Sequence, residues 1–201
     1  MPKVYDRVEW SFLQGMLIRL GFSFSWVTKI MDCVSSIAFS CLINGAPTGC
    51  VIPSWGLCQG DPLSPYLFLV CAEGLSALLR YAERNGSISR IRCGRIGPQI
   101  SHLFFADDSF LFSRARLSDC ETIKALLFIY SQASGQLVNF SKSAISFSPQ
   151  VSQNEQHLLA GVLGVSVVNC HTKYLGLPSF SGRGRSCLFS SLKERIWQRL
   201  K

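Results

Sequence analysis

The 201 residues carry 20 Lys and Arg against 12 Asp and Glu, a formal charge of +8, and 48% of them are hydrophobic, for a mean hydropathy of +0.25. A chain of this length can bury one sizeable core, and its apolar excess points to faces meant for other protein. The longest apolar run, 66–79, is interrupted at Glu73 and Gly74, and no basic-then-apolar leader opens the sequence; an intracellular protein of nucleus or cytoplasm, neither secreted nor embedded in a membrane, is therefore expected.

In chain order, residues of about 7–20 and 24–36 read as two helices parted at Gly21. Residues 39–43 and 49–52 flank Asn44-Gly45, a dipeptide suited to a tight hairpin turn. Asp61-Pro62 then opens a helix reaching Arg84, with the Asp61 carboxylate expected to cap free backbone N–H groups rather than to take part in chemistry. The runs 101–106 and 109–113 predict a second hairpin with Asp107 and Asp108 at its tip. A helix over 117–133, a strand over 144–147, a helix over 153–163, a short strand over 173–177 and an amphipathic helix from Ser186 to Lys201 complete the reading. Antiparallel hairpins among helices predict an α+β domain, with helices packed on one face of an antiparallel sheet.

The nine cysteines (33, 41, 50, 58, 71, 93, 120, 170 and 187) form no C-x-x-C pair, so neither a zinc site nor a disulfide framework fits, and most are expected to be reduced core residues. Histidines 102, 157 and 171 lack metal-ligand spacing. Positive charge clusters at Arg80, Arg84, Arg90, Arg92 and Arg95, and again at Arg183, Arg185, Lys193, Arg195, Arg199 and Lys201. Such clusters suit a polyanion, usually nucleic acid, although a solvated surface uses the same residues.

Adjacent carboxylates at a turn are usually only solvated turn residues. In "HLFFADDSFLF", however, apolar strands would hold Asp107 and Asp108 side by side, and like charges so close need a compensating cation. Oxygen-only ligands favour Mg²⁺ or Mn²⁺, and a pair of such ions, roughly 3.5–4 Å apart, serves phosphoryl or nucleotidyl transfer.

"FFADDSFLF" resembles the metal-binding hairpin of reverse transcriptases, and "GLCQGDPLSPYLF" (56–68) resembles the block that precedes it in the polymerase palm. "YDRVEWSFL" (5–13), "SGQLVNFSKS" (134–143) and "KYLGLP" (173–178) are similar, in order, to further palm blocks of non-LTR retrotransposon polymerases, most closely the plant LINE-type group. The resemblance implies a palm over 1–180, the start of a thumb over 181–201, and an RNA-directed DNA polymerase that takes an RNA template, a DNA primer and dNTPs. Asp107 and Asp108 would then hold the metals, and Gln59 and Gly60 would lie beside the template and incoming nucleotide. Lys142 would assist departure of pyrophosphate, and a surface lysine remains the other reading of it. Tyr5 would be the aromatic gate against a ribose 2′-OH, or else an ordinary core aromatic. Tyr174, Leu175 and Gly176 would form the primer grip, or simply a strand entering a turn.

The resemblance also marks departures. Counted back from Tyr5, the family's first metal-binding aspartate falls immediately before Met1, and neither Asp6 nor Glu9 stands in register to replace it. Cys58 occupies a position where relatives usually carry Arg. Largely absent fingers would leave an apolar face uncovered, to pack on that region of a longer polyprotein. An incomplete palm, inactive as an isolated chain, is thus the expectation; a remnant that only binds nucleic acid and an apolar protein-interaction module are the alternatives.

Overall fold

In the computed structural model the described residues are 4–92, 96–105, 108–168, 193 and 196–199. The chain divides into two compact units, residues 1–139 and 140–201.

The first unit opens with a 3₁₀ turn, Val4–Arg7, followed by α1 (Trp10–Arg19) and α2 (Phe24–Ser35). The two helices expected over about 7–20 and 24–36 are thus present, the first starting only at Trp10 because residues 4–7 form the 3₁₀ turn. Leu13 and Leu17, one turn apart on α1, are buried with Val27 and Val34 of α2 and with Val8 and Leu57. The long α3 (Ser64–Arg84) supplies the other side of this core through Leu67, Phe68 and Cys71, and its buried stripe runs on through Leu75 and Leu79 to Ala82. Gly74 lies on that stripe because Phe12 packs there; a Cβ would sit 2.8 Å from the Phe12 ring. Phe12 in turn meets Tyr130 edge to face, with centroids 5.9 Å apart, and the Tyr130 hydroxyl donates to the Cys71 carbonyl at 3.2 Å. Tyr130 belongs to α4 (Leu117–Ser134), so α1, α3 and α4 pack on one another.

The strands differ from the single sheet expected from sequence. Among the described residues they form four separate two-stranded ladders. β1 (Phe39–Ile43) and β2 (Ala46–Val51) pair across Asn44-Gly45, with Ile43 opposite Ala46. Both turn residues have positive φ, +51° and +82°, the geometry for which Asn-Gly is suited. Every residue of this hairpin is exposed, Leu42 at 74%, and the following Ile52 at 73%. The short β3 (Ile91–Arg92) and β4 (Gln99–Ile100) pair antiparallel, as do β5 (His102–Phe105) and β6 (Asp108–Leu111).

In the second unit, β7 (Ala144–Ile145) pairs parallel with β8 (Ser166–Val167), joined by α5 (Gln153–Leu163). The parallel ladder corrects the antiparallel expectation; a helix between two strands supplies the crossover that parallel pairing requires. A capping box starts α5: Glu155 N–H donates to Ser152 Oγ at 3.4 Å, and Ser152 N–H to the Glu155 carboxylate at 3.2 Å. The Ser152 hydroxyl, donating to the Glu155 carboxylate at 2.8 Å, and after it the Ser152 N–H hold the exposed Glu155 below the usual carboxylate range.

The strand expected over 173–177 lies outside the described residues, as does most of the helix expected over 186–201, of which residues 193 and 196–199 are helical. No described helix is long and apolar enough to cross a membrane. The cysteine expectation needs correction: of the six described cysteines, all free, only Cys71 and Cys120 are buried, whereas Cys33, Cys41 and Cys50 are exposed. Burial pushes the Cys71 thiol up to about 12, which leaves it unreactive at neutral pH.

Candidate active site

Two segments that are distant in sequence are zipped together at the N-terminal end of α3. Gly56 N–H donates to the Val8 carbonyl at 2.8 Å and Leu57 N–H to the Tyr5 carbonyl at 2.7 Å. The Trp10 indole Nε1–H closes the pair, donating to the Gly56 carbonyl at 2.7 Å. Gly56 has φ +89°, and a Cβ there would come within 3.0 Å of the Asp6 carbonyl oxygen, so both its conformation and its close approach call for glycine. Replacing Trp10 by Phe keeps most of the ring and removes this donor. We expect it to lower the stability of the first unit by about 1–2 kcal/mol, read as a lower urea midpoint with unchanged slope.

This zipper brings together Tyr5, Asp6, Gln59 and Gly60. The Tyr5 ring is half-buried and tilts against Phe68 at the start of α3, with centroids 5.3 Å apart. Gln59 is exposed and donates its amide to Asp6 Oδ1 at 3.3 Å. Gly60 is exposed at φ +90°, with nothing within 4 Å of where a Cβ would stand, so a ligand could approach its backbone. Cys58 is half-buried beside them. Asp61 behaves as expected from sequence: its Oδ1 accepts from Leu63 N–H at 2.9 Å. The helix, however, begins at Ser64, with Pro65 rather than Pro62 in its first turn.

The acidic hairpin stands on another part of α3, which packs against β5. Four rungs, from His102 opposite Leu111 to Phe105 opposite Asp108, set its register. Asp108 is therefore the first residue of β6 rather than a turn residue, and its side chain is exposed. Asp107 lies outside the described residues, as do Tyr174, Leu175 and Gly176. Lys142 belongs to the second unit, on an exposed turn before β7. The donor chemistry of adjacent carboxylates suits a hard cation. Among the described residues, though, no three His, Cys, Asp or Glu side chains converge into a metal-binding group.

Sequence reasoning missed two features of this region. The Asp6–Gln59 contact depends on a tertiary turn, and its only sequence signal was the glycine at 56. His102, weighed only as a metal ligand, instead ties β5 to Ser76 of α3 at 2.9 Å.

The ordered blocks, the acidic hairpin and the Tyr5–Gln59 zipper can be set beside known proteins. A stretch of 68 residues is 57% identical to an uncharacterized mitochondrial protein of Arabidopsis thaliana, covering 34% of this chain and 56% of that one. The chain thus spans little more than half the length of this curated relative. A family model described as reverse transcriptase (RNA-dependent DNA polymerase) matches residues 1–178, which takes in the block at Tyr5, the block at Gln59 and the acidic hairpin together. With nearly its whole length matched, the chain belongs to the reverse transcriptase family.

Proposed function

We propose that the chain is the palm of an RNA-directed DNA polymerase of non-LTR, LINE-type retrotransposon lineage, with residues 1–180 forming the palm and 181–201 beginning the thumb. The observation that carries this reading is the meeting of Tyr5 and Gln59–Gly60 on one surface at the head of the helix that also bears the Asp108 hairpin. A primed template and a dNTP need such convergence of separate segments.

In this reading Asp107 and Asp108 hold Mg²⁺ or Mn²⁺, which when bound would activate the primer 3′-hydroxyl and stabilise the departing pyrophosphate oxygen. The Tyr5 ring, braced by Phe68, excludes a ribose 2′-OH; Gln59 and the open backbone of Gly60 face template and nucleotide; Lys142 offers a proton to pyrophosphate; Tyr174, Leu175 and Gly176 position the primer end. Two-metal transfer also requires a further carboxylate. Asp6 is engaged with Gln59, and Glu9 stands at the N-cap position of α1, its backbone fixed there by an N–H bond to the Ser134 carbonyl at 3.0 Å. By itself, then, the 201-residue chain binds nucleic acid without extending it. The exposed Leu42, Ile52, Phe24 and Trp26 favour a second role, as a surface that packs on a fingers region of a longer polyprotein.

The test is binding of a DNA-primed RNA template over a range of salt, with single-nucleotide incorporation measured in Mg²⁺. We expect affinity to fall steeply and linearly with the logarithm of salt concentration, and no incorporation by this chain. Binding indifferent to salt would reject a phosphate-contacting palm and favour the apolar surface; incorporation would show that the carboxylate set is already complete.

A further inference from the structure

The seat of β5 on α3 centres on one imidazole. His102 Nε2 lies 2.9 Å from Ser76 Oγ, and Nδ1 lies 2.8 Å from Ser101 Oγ. The ring leans on Phe104, with centroids 4.9 Å apart. At 3.9 Å from Nδ1 stands Oε1 of Glu83, a buried carboxylate oxygen with no hydrogen-bond partner. The other carboxylate oxygen accepts from Arg90 Nε at 2.8 Å. The Glu83 side chain is only 4% exposed and that of His102 16%.

An orphaned buried carboxylate oxygen is costly, and here one event relieves it. A neutral imidazole has a single N–H, and two serine hydroxyls, each able to donate or accept, satisfy both of its nitrogens. A protonated ring has two N–H groups and makes its strongest bond to a carboxylate. Closing 3.9 Å to normal bond length asks for a movement of about 1 Å.

We propose that His102 is a positioning residue for the carboxylate-bearing hairpin: neutral, it is clamped between Ser76 and Ser101; protonated, it turns Nδ1–H to Glu83 Oε1 and draws β5 along α3. The four-rung ladder carries that movement to Asp108, the partner of Phe105. The inference rests on the reading of Asp108 as a metal-holding carboxylate, for which a misplacement of about 1 Å can cost roughly 100-fold in rate.

The groups that face or adjoin this pair are Glu83 and Arg80 of α3, Arg90 ahead of β3, and Asp119 at the start of α4, which accepts from Ser89 N–H at 3.0 Å. Arg80 is paired with Glu73. Burial holds His102 below its usual 6.5, Glu83 pulls it upward and Arg80 pushes it down. The unfolded chain therefore binds this proton more readily than the folded one. The contribution of His102 to stability is complete above the unfolded value and is lost as pH falls through the folded one.

The experiment is an NMR titration of this chain, without metal or nucleotide, following the His102 ring, the Asp108 carboxyl carbon and amide exchange in β5–β6. We expect His102 to titrate below 6.5, with the hairpin signals moving at the same midpoint. Glu83→Gln should lower that midpoint and uncouple the hairpin from it. His102→Gln should abolish the transition. Should that variant fail to fold, Ser76→Ala keeps the imidazole and is expected to speed hairpin amide exchange about tenfold at neutral pH while retaining the transition. A His102 titration that leaves the hairpin signals still, or a midpoint unmoved in Glu83→Gln, overturns the proposal. These readouts need no polymerase activity. A coupled hairpin in a chain whose longer form extends no primer would therefore defeat the polymerase reading, not the coupling between His102 and the hairpin.

Discussion

Asp107→Asn and Asp108→Asn, made in a longer form of this sequence that supplies a further carboxylate, are each expected to reduce Mg²⁺-dependent nucleotide incorporation by about 1,000-fold. Asn preserves shape and hydrogen bonding but removes the negative charge that a hard cation requires. Asp108 is exposed at the start of β6, so stability should change by no more than about 0.5 kcal/mol and the melting temperature should stay within a few degrees. Chelation of the divalent cation should abolish incorporation in the parent chain and change nothing further in either variant. Single-nucleotide extension beside thermal unfolding measures both effects. Incorporation that survives in both variants would remove these residues from the chemistry and with them the reading of the hairpin as a metal site.

Gly135→Ala is expected to be the most damaging small substitution in the first unit, lowering its stability by about 3–5 kcal/mol. Gly135 ends α4 at φ +75°, in a conformation that L side chains rarely adopt. An added Cβ would also be driven into the carbonyl oxygen of Arg7 and would press on Glu9 Cγ at 3.1 Å. This is where Glu9 N–H is bonded to the Ser134 carbonyl, so the backbone cannot retreat without losing that bond. Gly86→Ala provides the comparison: Gly86 also has positive φ, +72°, but nothing lies within 4 Å of its Cβ position. It should cost only the backbone term, about 1–2 kcal/mol. Urea unfolding of the two variants separates strain from clash, and equal losses would show that the approach of Arg7 contributes nothing.

The two replacements probe different kinds of information in the chain. Whatever is encoded over a few neighbouring residues was legible. Asn44-Gly45 turns β1 into β2 because two adjacent residues tolerate positive φ. Helix α5 spans the residues expected for it, and Asp61 accepts from a backbone N–H two residues on. The order of the blocks at Tyr5, Gln59 and Asp107-Asp108 likewise identified the family, since the chemistry of metal and nucleotide constrains residue types directly.

What escaped the sequence reading depends on which segments meet. Residues 91–92 and 99–100 carry too little pattern to reveal a strand pair, and nothing local told the parallel partnership of Ala144–Ile145 with Ser166–Val167 from an antiparallel one. Exposed Cys33, Cys41 and Cys50 are as apolar in composition as buried Cys71; only packing separates them. Glu83 reads as one more helix-surface charge, and His102 as an isolated histidine. Their approach to 3.9 Å exists because α3 and β5 pack together. Local sequence thus determined the main helices, the two longer hairpins and the chemical identity of the acidic pair, because those follow from backbone geometry and residue type over a few positions. Tertiary structure alone decided the β3–β4 and β7–β8 partnerships, which thiols are shielded, the Asp6–Gln59 contact and the setting of His102, because burial and distance are properties of segments brought together rather than of any one of them.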